Sequence, residues 1–376
     1  MSKHKSLLFV TGTRADFGKI EPLARAAVEA DFIVSFFITG MHMLAEYGLT
    51  KLEVRRVPGA TAHEFLNQRS KDPQDVILAK TMLGFSDFVT ENKPDLVLVH
   101  GDRVEALGCA LVCATNYIKC AHIEGGEVSG TIDEVFRHCN SKLAYCHFVS
   151  SPAAQKRVRS LGEAAESIYI IGSPELDFHY KSSGYQIAEV LAHYQIRESD
   201  FGICIMHPVT SETATIKQQA LDLFNTLHQS GRYFVVIKPN NDPGSEHISV
   251  ALEALPETQF KIIPSMRFGR FSELLKNAAC IIGNSSAGVR EAPFLGVPSL
   301  DIGSRQSDRA VADSITKATA NQTAKITSFL LDNWQRRFPP QTEFGQGNAT
   351  KKFIKILKSE AFWQRPMQKY FNESSS

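Results

Sequence analysis

The sequence predicts an α/β protein of two domains, each built on a mostly parallel sheet with helices on both faces. Three observations carry this. The chain has 376 residues, more than one ordinary core organises. Short apolar runs alternate with amphipathic stretches along it, the order of βαβ units. The alternation then restarts after a polar stretch at 179–200 that is rich in Ser, Tyr, His and charge.

In the first half the strand-like runs are 7–10, 32–38, 96–100, 118–123, 146–150 and 168–171. Helical patterns lie between them at 19–30, 103–115, 132–144 and 152–162. The runs are apolar throughout rather than alternating, as in strands covered on both faces. After the restart, strands are expected at 202–206, 233–237, 259–263, 279–283 and 297–301, with helical segments such as 212–229 and 271–277 between them. The expected domains are therefore 1–180 and 200–355, with a linker near 180–200. Trp363, Met367, Tyr370 and Phe371 recur at roughly helical spacing, so 356–376 is expected to hold a last helix packing back on the first domain, with Pro366 kinking or restarting it. Ser374-Ser375-Ser376 reads as a frayed end.

Composition narrows the function. With 43% hydrophobic and 22% charged residues the chain reads as soluble and globular. A formal charge of +1 offers no bulk attraction to nucleic acid or a membrane surface, so an anionic ligand must be met by local groups. Lys3, His4 and Lys5 lead straight into Leu7-Leu8-Phe9-Val10, too short a run for a secretory signal or a membrane span. The seven cysteines are odd in number and form no CxxC pair, which fits small core residues in a reducing cytoplasm. No metal-ligand set stands out and no cofactor is expected, although a diphosphate can bring Mg²⁺ with it.

In open parallel sheets ligands sit beyond the carboxyl ends of the strands, so the polar residues after each apolar run are the candidates for chemistry. The first such segment is Thr11-Gly12-Thr13-Arg14-Ala15-Asp16-Phe17-Gly18-Lys19. A glycine at a strand-to-helix turn lets the backbone approach a ligand, and N–H groups at a helix start attract anions. Arg14 and Lys19 add positive charge. The spacing fits neither the dinucleotide nor the P-loop fingerprint, and the plain structural alternative is that Arg14 and Asp16 cap the helix and pair with each other. The second segment, His100-Gly101-Asp102-Arg103, sets a base and an acid at a sheet mouth. Arg103 favours the charged form of Asp102, which can serve as a base, as an ion pair, or as the cap of the next helix.

The third segment is the most informative: His122-Ile123-Glu124-Gly125-Gly126-Glu127-Val128-Ser129-Gly130-Thr131-Ile132-Asp133-Glu134, then Arg137-His138. Its glycines permit close backbone approach. Glu124, Glu127, Asp133 and Glu134 crowd carboxylates together, and mutual repulsion equips one of them to carry a proton. Asp133 and Glu134 also suit a helix N-terminus for its own sake, but that does not explain Glu124 ahead of paired glycines.

In the second domain Met206-His207-Pro208-Val209-Thr210-Ser211-Glu212 sets a histidine and a capping signal after 202–206. Lys238-Pro239-Asn240-Asn241 and Arg267 to Arg270 read as solvated loops. Ile281-Ile282-Gly283-Asn284-Ser285-Ser286-Ala287-Gly288-Val289-Arg290-Glu291 aims backbone N–H groups and the hydroxyls of Ser285 and Ser286 at one spot, which suits a diphosphate. Glu291 can accept from ribose hydroxyls; otherwise it is exposed or pairs with Arg290 or Arg305. Gly303-Ser304-Arg305-Gln306 follows the next strand and can add a phosphate-binding arginine.

These segments (TGTRADFGK, HGDRVEAL, HIEGGEVSGTIDEVFRH, HPVTSE, GNSSAGVRE and GSRQ) resemble the UDP-N-acetylglucosamine 2-epimerase family, in its order, from residue 11 to about 306. The long acidic loop is specific; GNSSAG alone is weak. The non-hydrolysing branch typically has Pro-Glu at 15–16, HGDT at 100–103 and Asp-Ser-Gly-Gly at 284–287, so the resemblance is to the hydrolysing branch, which forms N-acetylmannosamine for sialic acid synthesis. It implies two Rossmann-like domains of GT-B type facing across a cleft, a homo-oligomer (dimer or tetramer), and no nicotinamide cofactor. Position by position it implies acid–base roles for Asp102, Glu124 and Asp133, and a catalytic or leaving-group role for His207. Arg14, Arg103, Ser285, Ser286, Glu291 and Arg305 become UDP contacts, with Lys19 and His42 near the same pocket. Relatives acting on UDP- or GDP-linked 2,4-diacetamido-trideoxyhexoses share these motifs. Non-hydrolysing epimerases and GT-B glycosyltransferases are further alternatives, against which the motif variants and the acidic loop 124–134 weigh.

Overall fold

The computed structural model describes residues 4–69, 72–129, 132–180, 184–239, 244–307 and 309–373. Gly130, Thr131, Asn240, Asn241 and Ser374–Ser376, all singled out above, lie outside these residues. The chain divides into two units: Met1–Glu127 with Ile132–Asp177 and Phe344–Ser376, and Phe178–Glu343 with Val128–Thr131.

The first unit is a seven-stranded parallel sheet of β1 (Ser6–Thr11), β2 (Ile33–Ile38), β3 (Ala60–Glu64), β4 (Leu96–His100), β5 (Cys120–Ile123), β6 (Cys146–Val149) and β7 (Ile168–Ile170) in the order β3-β2-β1-β4-β5-β6-β7. The order reverses at β1, which pairs β2 on one side and β4 on the other. Consecutive residues of β1 serve opposite faces. Leu7 and Phe9 join Leu23, Leu98 and Phe148 in one core layer, while Leu8 joins Phe37, Phe85 and Val97 in the other. Each fully buried side chain of this size contributes about 1.5–3 kcal/mol, and double-sided burial is why these strands are unbroken apolar runs.

The second unit repeats the plan with six strands: β8 (Gly202–Ile205), β9 (Phe234–Ile237), β10 (Phe260–Ile263), β11 (Ile281–Gly283), β12 (Ser299–Ile302) and β13 (Ile315–Ala318), in the order β10-β9-β8-β11-β12-β13. Here β8 is the reversal strand, between β9 and β11. Two parallel-sheet α/β domains are therefore present, as the alternation predicted.

The apolar-run reading misses β3 and β13. Both are edge strands, and their Ala-Thr-Ala-His-Glu and Ile-Thr-Lys-Ala sequences keep much surface in solvent, the usual character of a protected edge. The polar stretch 179–200 is more than a linker. It contains the helix Ile187–Tyr194, whose Val190 is buried in the second unit's core. Near the end, the return to the first unit begins at Phe344, earlier than 356. Phe353 and Leu357 of the helix Ala349–Leu357, and Phe362 of the helix Glu360–Gln364, enter the same core layer as Phe9. The Asp177 carboxylate caps the helix Ala349–Leu357, accepting from the N–H groups of Ala349 (2.7 Å) and Thr350 (2.8 Å). The last helix stops before Pro366 rather than running through it. Among the described residues no helix is long and apolar enough to cross a membrane.

Candidate functional site

Around Glu124 in the first unit, loops from adjacent strands converge. Glu124 directly follows β5, is 3% exposed and has φ of 62°, a left-handed backbone that non-glycine residues seldom adopt away from functional or tightly constrained sites. Its amide donates to the Phe148 carbonyl at 3.0 Å, which fixes the turn. Gly126 follows at φ 76°, and a Cβ there would stand 2.3 Å from the Ala154 carbonyl oxygen, so glycine lets the loop fold down on the next helix. The Lys19 ammonium donates to Glu124 at 3.1 and 3.3 Å and lies 3.6 Å from Glu175. His100 Nε2, at the end of β4, lies 3.3 Å from the same carboxylate.

Asp102 sits in the turn that follows β4 and pairs with Arg137 of the helix Asp133–Leu143. The cap position of the helix Val104–Thr115 is taken by Arg103, so Asp102 is a paired acid and not that helix's N-cap. Its loop is fixed from below. His122, wholly buried, has Nε2 2.8 Å from the Gly101 carbonyl oxygen and Nδ1 3.0 Å from Ser141 Oγ, and Asn140 donates to the same carbonyl at 3.1 Å. Burial holds the His122 imidazole down at about 3, so it is neutral and donates through Nε2. Asp133 opens the helix Asp133–Leu143, and Glu134 pairs with His138 one turn on. The Glu127 carboxylate is buried and receives the Ser150 hydroxyl, a structural position within the acidic segment.

The loop after β1 departs from expectation. Arg14 donates to Glu53 (Nε to Oε2, 3.2 Å) and not to Asp16. Asp16 does cap: its carboxylate accepts from the N–H groups of Gly12 (3.0 Å) and Thr13 (3.1 Å) in a capping box. His42 has no exposed surface. Its ring nitrogens lie 2.9 Å from Thr11 Oγ and 2.6 Å from Thr50 Oγ, so both are engaged within the protein, and burial lowers its pKa. Arg103 is half-exposed, 3.6 Å from Glu105, a carboxylate buried under Gly12 and Gly40.

In the second unit three loops meet at the carboxyl ends of β8, β11 and β12. Asn284 accepts from the His207 amide at 2.7 Å and donates to the His207 carbonyl at 2.8 Å. Its own carbonyl accepts from Arg305 Nη1 (3.2 Å) and Gln306 Nε2 (2.9 Å). Ser304 donates to Glu212, tying the β12 loop to the β8 loop directly. Ser285 caps the helical turn Ser286–Val289, but the backbone breaks at Arg290 and a separate turn, Glu291–Phe294, follows. The expected single helix is thus two single turns, too short to build up a helix macrodipole. Glu291 is 5% exposed, which excludes the solvent-facing alternative. Asp301 on β12 is 3% exposed and neither carboxylate oxygen has a hydrogen-bond partner; burial raises its pKa to about 6, with Lys317 and Arg305 opposing.

Sequence reasoning missed Glu175, Glu53, Glu105 and Asp301. A signal existed for Glu175, which with Pro174 follows the strand at 168–171, the position rule applied elsewhere. Glu53 and Asp301 become visible only through partners or burial that are distant in sequence. Among the described residues no group of three or more His, Cys, Asp or Glu side chains is placed to hold a metal ion.

A family profile described as UDP-N-acetylglucosamine 2-epimerase matches residues 25–358. A UDP-N-acetylglucosamine 2-epimerase of Neisseria meningitidis serogroup B is 39% identical, over 98% of this chain and 98% of its own. A UDP-N,N'-diacetylbacillosamine 2-epimerase (hydrolyzing) of Legionella pneumophila is 30% identical, over 94% of this chain and 96% of its own. Among solved structures, UDP-GlcNAc 2-epimerase from Neisseria meningitidis bound to UDP-GlcNAc superposes with a TM-score of 0.80, covering 94% of this chain and 99% of that one; at 20% identity this is a likeness of fold, that of two GT-B-type domains.

Proposed function

The chain belongs to the UDP-N-acetylglucosamine 2-epimerase family, and from that premise we propose that it is a hydrolysing member: UDP-N-acetylglucosamine and water are converted to N-acetylmannosamine and UDP. The observation that carries this reading is Glu124, a buried carboxylate on a strained turn, with the Lys19 ammonium and the His100 imidazole both within 3.3 Å. Such an arrangement handles protons in a place where a purely structural loop has no use for the strain.

The reaction begins when a base removes the C2 proton. The electron pair of that C–H bond forms a C1=C2 double bond, the C1–O bond breaks on the opposite face, and UDP leaves with the bonding pair. The 2-acetamidoglucal so formed then takes the hydroxyl of water at C1 and a proton at the opposite face of C2. Two faces require two proton-handling groups. Asp102 and Glu124 leave the adjacent strands β4 and β5, where Gly101 donates to the Ile123 carbonyl at 3.0 Å, and Asp133 opens the next helix. In this proposal His207, Ser285, Ser286, Glu291 and Arg305 engage UDP, as do Arg14 and Arg103, and stabilise the charge on the departing diphosphate. A cytoplasmic setting, a homo-oligomer, and a supply of N-acetylmannosamine for sialic acid or surface polysaccharide belong to the same proposal.

A second reading is favoured by the Legionella relative, whose name joins hydrolysis to a diacetamido sugar: the same chemistry on UDP-N,N'-diacetylbacillosamine. Proton NMR in deuterated water separates the readings. Free UDP with N-acetylmannosamine deuterated at C2 is the expected result. UDP-N-acetylmannosamine with its nucleotide attached would overturn hydrolysis. Turnover only of the diacetamido sugar would establish the second reading.

A further inference from the structure

We infer that Asn284 is a positioning residue that sets the backbone of His207 and, through its carbonyl, the loop of Arg305, so that the nucleotide-binding loops of the second unit act as one body. The inference rests on the proposed roles of His207 and Arg305. Asn284 is 3% exposed. Its amide presents one acceptor and one donor in a plane, as a peptide bond does, and both are used on a single residue: Oδ1 accepts from His207 N at 2.7 Å, and Nδ2 donates to His207 O at 2.8 Å. The side chain thereby continues the sheet beyond the end of β8. Pro208 follows and has no N–H of its own to contribute.

The approach that makes this possible is set one residue earlier. Gly283 has φ of 130°, and a Cβ there would stand 1.9 Å from the Ile205 carbonyl oxygen. With glycine, β11 comes close enough for the Asn284 amide to donate to that same carbonyl at 3.1 Å. From the other side, Arg305 and Gln306 both donate to the Asn284 carbonyl, and Ser304 with Glu212 completes the ring. Three loops that carry proposed UDP contacts are thus tied through one buried residue.

Aspartate has the same shape and can accept from His207 N, but it cannot donate. Its second oxygen would face the His207 carbonyl across the gap the hydrogen bond now spans. A buried group left unpaired costs about 1–3 kcal/mol, so Asn284→Asp is expected to lower kcat/KM about 10- to 100-fold. The decisive experiment is a double-mutant cycle with His207→Ala. If Asn284 acts through His207, Asn284→Asp costs less than about threefold in the His207→Ala background; additive losses, or no loss in the single variant, would overturn the inference. Hydrogen exchange at the His207 amide gives a readout that needs no substrate: Asn284→Ala, which removes the acceptor of that amide, should speed it about tenfold or more, and an unchanged rate would overturn the inference. Failure of the wild type to bind UDP in calorimetry would refute the functional reading, while the exchange measurement still decides the role of Asn284. Should Asn284→Asp not fold, Asn284→Ser, which cannot accept and donate across both His207 groups, takes its place in the same measurements.

Discussion

The Lys19 ammonium lies 3.1 Å from the Glu124 carboxylate, and the same ammonium stands 3.6 Å from Glu175, whose side chain is 0% exposed. One cation therefore serves two buried acids. Removing one partner of a buried ion pair leaves an uncompensated charge and costs about 3–5 kcal/mol. Lys19→Met is expected to lose about that much stability in chemical denaturation. Lys19→Met/Glu175→Gln should recover at least half of it, because the second carboxylate is then gone. No recovery would mean that the stability of this corner does not come from charge balance.

Asp102→Asn and Glu124→Gln keep shape and remove the capacity to take a proton. Each is expected to lower kcat about 10²- to 10⁴-fold while UDP still binds within about threefold of wild type, as calorimetry would read. Asp102→Asn also removes the charge facing Arg137, so a parallel denaturation curve checks that lost turnover is not lost fold. Equal losses of binding and turnover would make these residues structural.

What the sequence disclosed, and what it did not, divides along physical lines. Double-sided strands such as Leu7–Val10 and Leu96–Val99 announce themselves because burial demands apolar residues without interruption. Edge strands β3 and β13 answer to weaker demands and left little mark. Loops after strands could be located because parallel sheets present them on one edge. Partners could not: Arg14 meets Glu53, 39 residues away, and Lys19 meets Glu124 across 105. The break at Arg290 is likewise silent, since nothing in Ser-Ala-Gly-Val-Arg-Glu marks the end of a helix that the chain resumes one residue later.

His122 makes the first unit acid-sensitive. Its folded-state pKa, held down at about 3, lies below the ordinary 6.5, so the unfolded chain takes up a proton that the folded protein refuses. The stability in question is complete above pH 6.5 and is lost as pH falls toward 3. Between those limits His122→Asn should flatten the pH dependence of unfolding free energy by about 1.4 kcal/mol per pH unit. An unchanged slope would remove His122 from the account.

Asp301 works in the opposite direction. Burial raises it from 3.8 to about 6, so the folded protein holds the proton more tightly than the unfolded chain. Stability is greatest below pH 3.8, falls as pH climbs through about 6, and stays lower above it. Asp301→Asn should therefore raise the melting temperature more at pH 8 than at pH 5, by an amount equivalent to about 1–3 kcal/mol. An equal effect at both values would show that the folded protein does not hold the Asp301 proton more tightly than the unfolded chain.

The late return of the chain to the first unit gives synthesis on the ribosome a direction. Phe353, Leu357 and Phe362 belong to the same core layer as Phe9 and Phe148, so the half translated first stays unfinished until after the other half has emerged. The segment Phe178–Glu343, by contrast, has its whole sheet within one uninterrupted stretch. Born second, it can mature first, while the nascent β1–β7 sheet waits with one apolar face only partly covered, by residues such as Ile20 and Leu23. A premature stop near residue 345 would spare the later-made domain and condemn the earlier one, and chaperone demand should concentrate on the half the ribosome releases to solvent earliest.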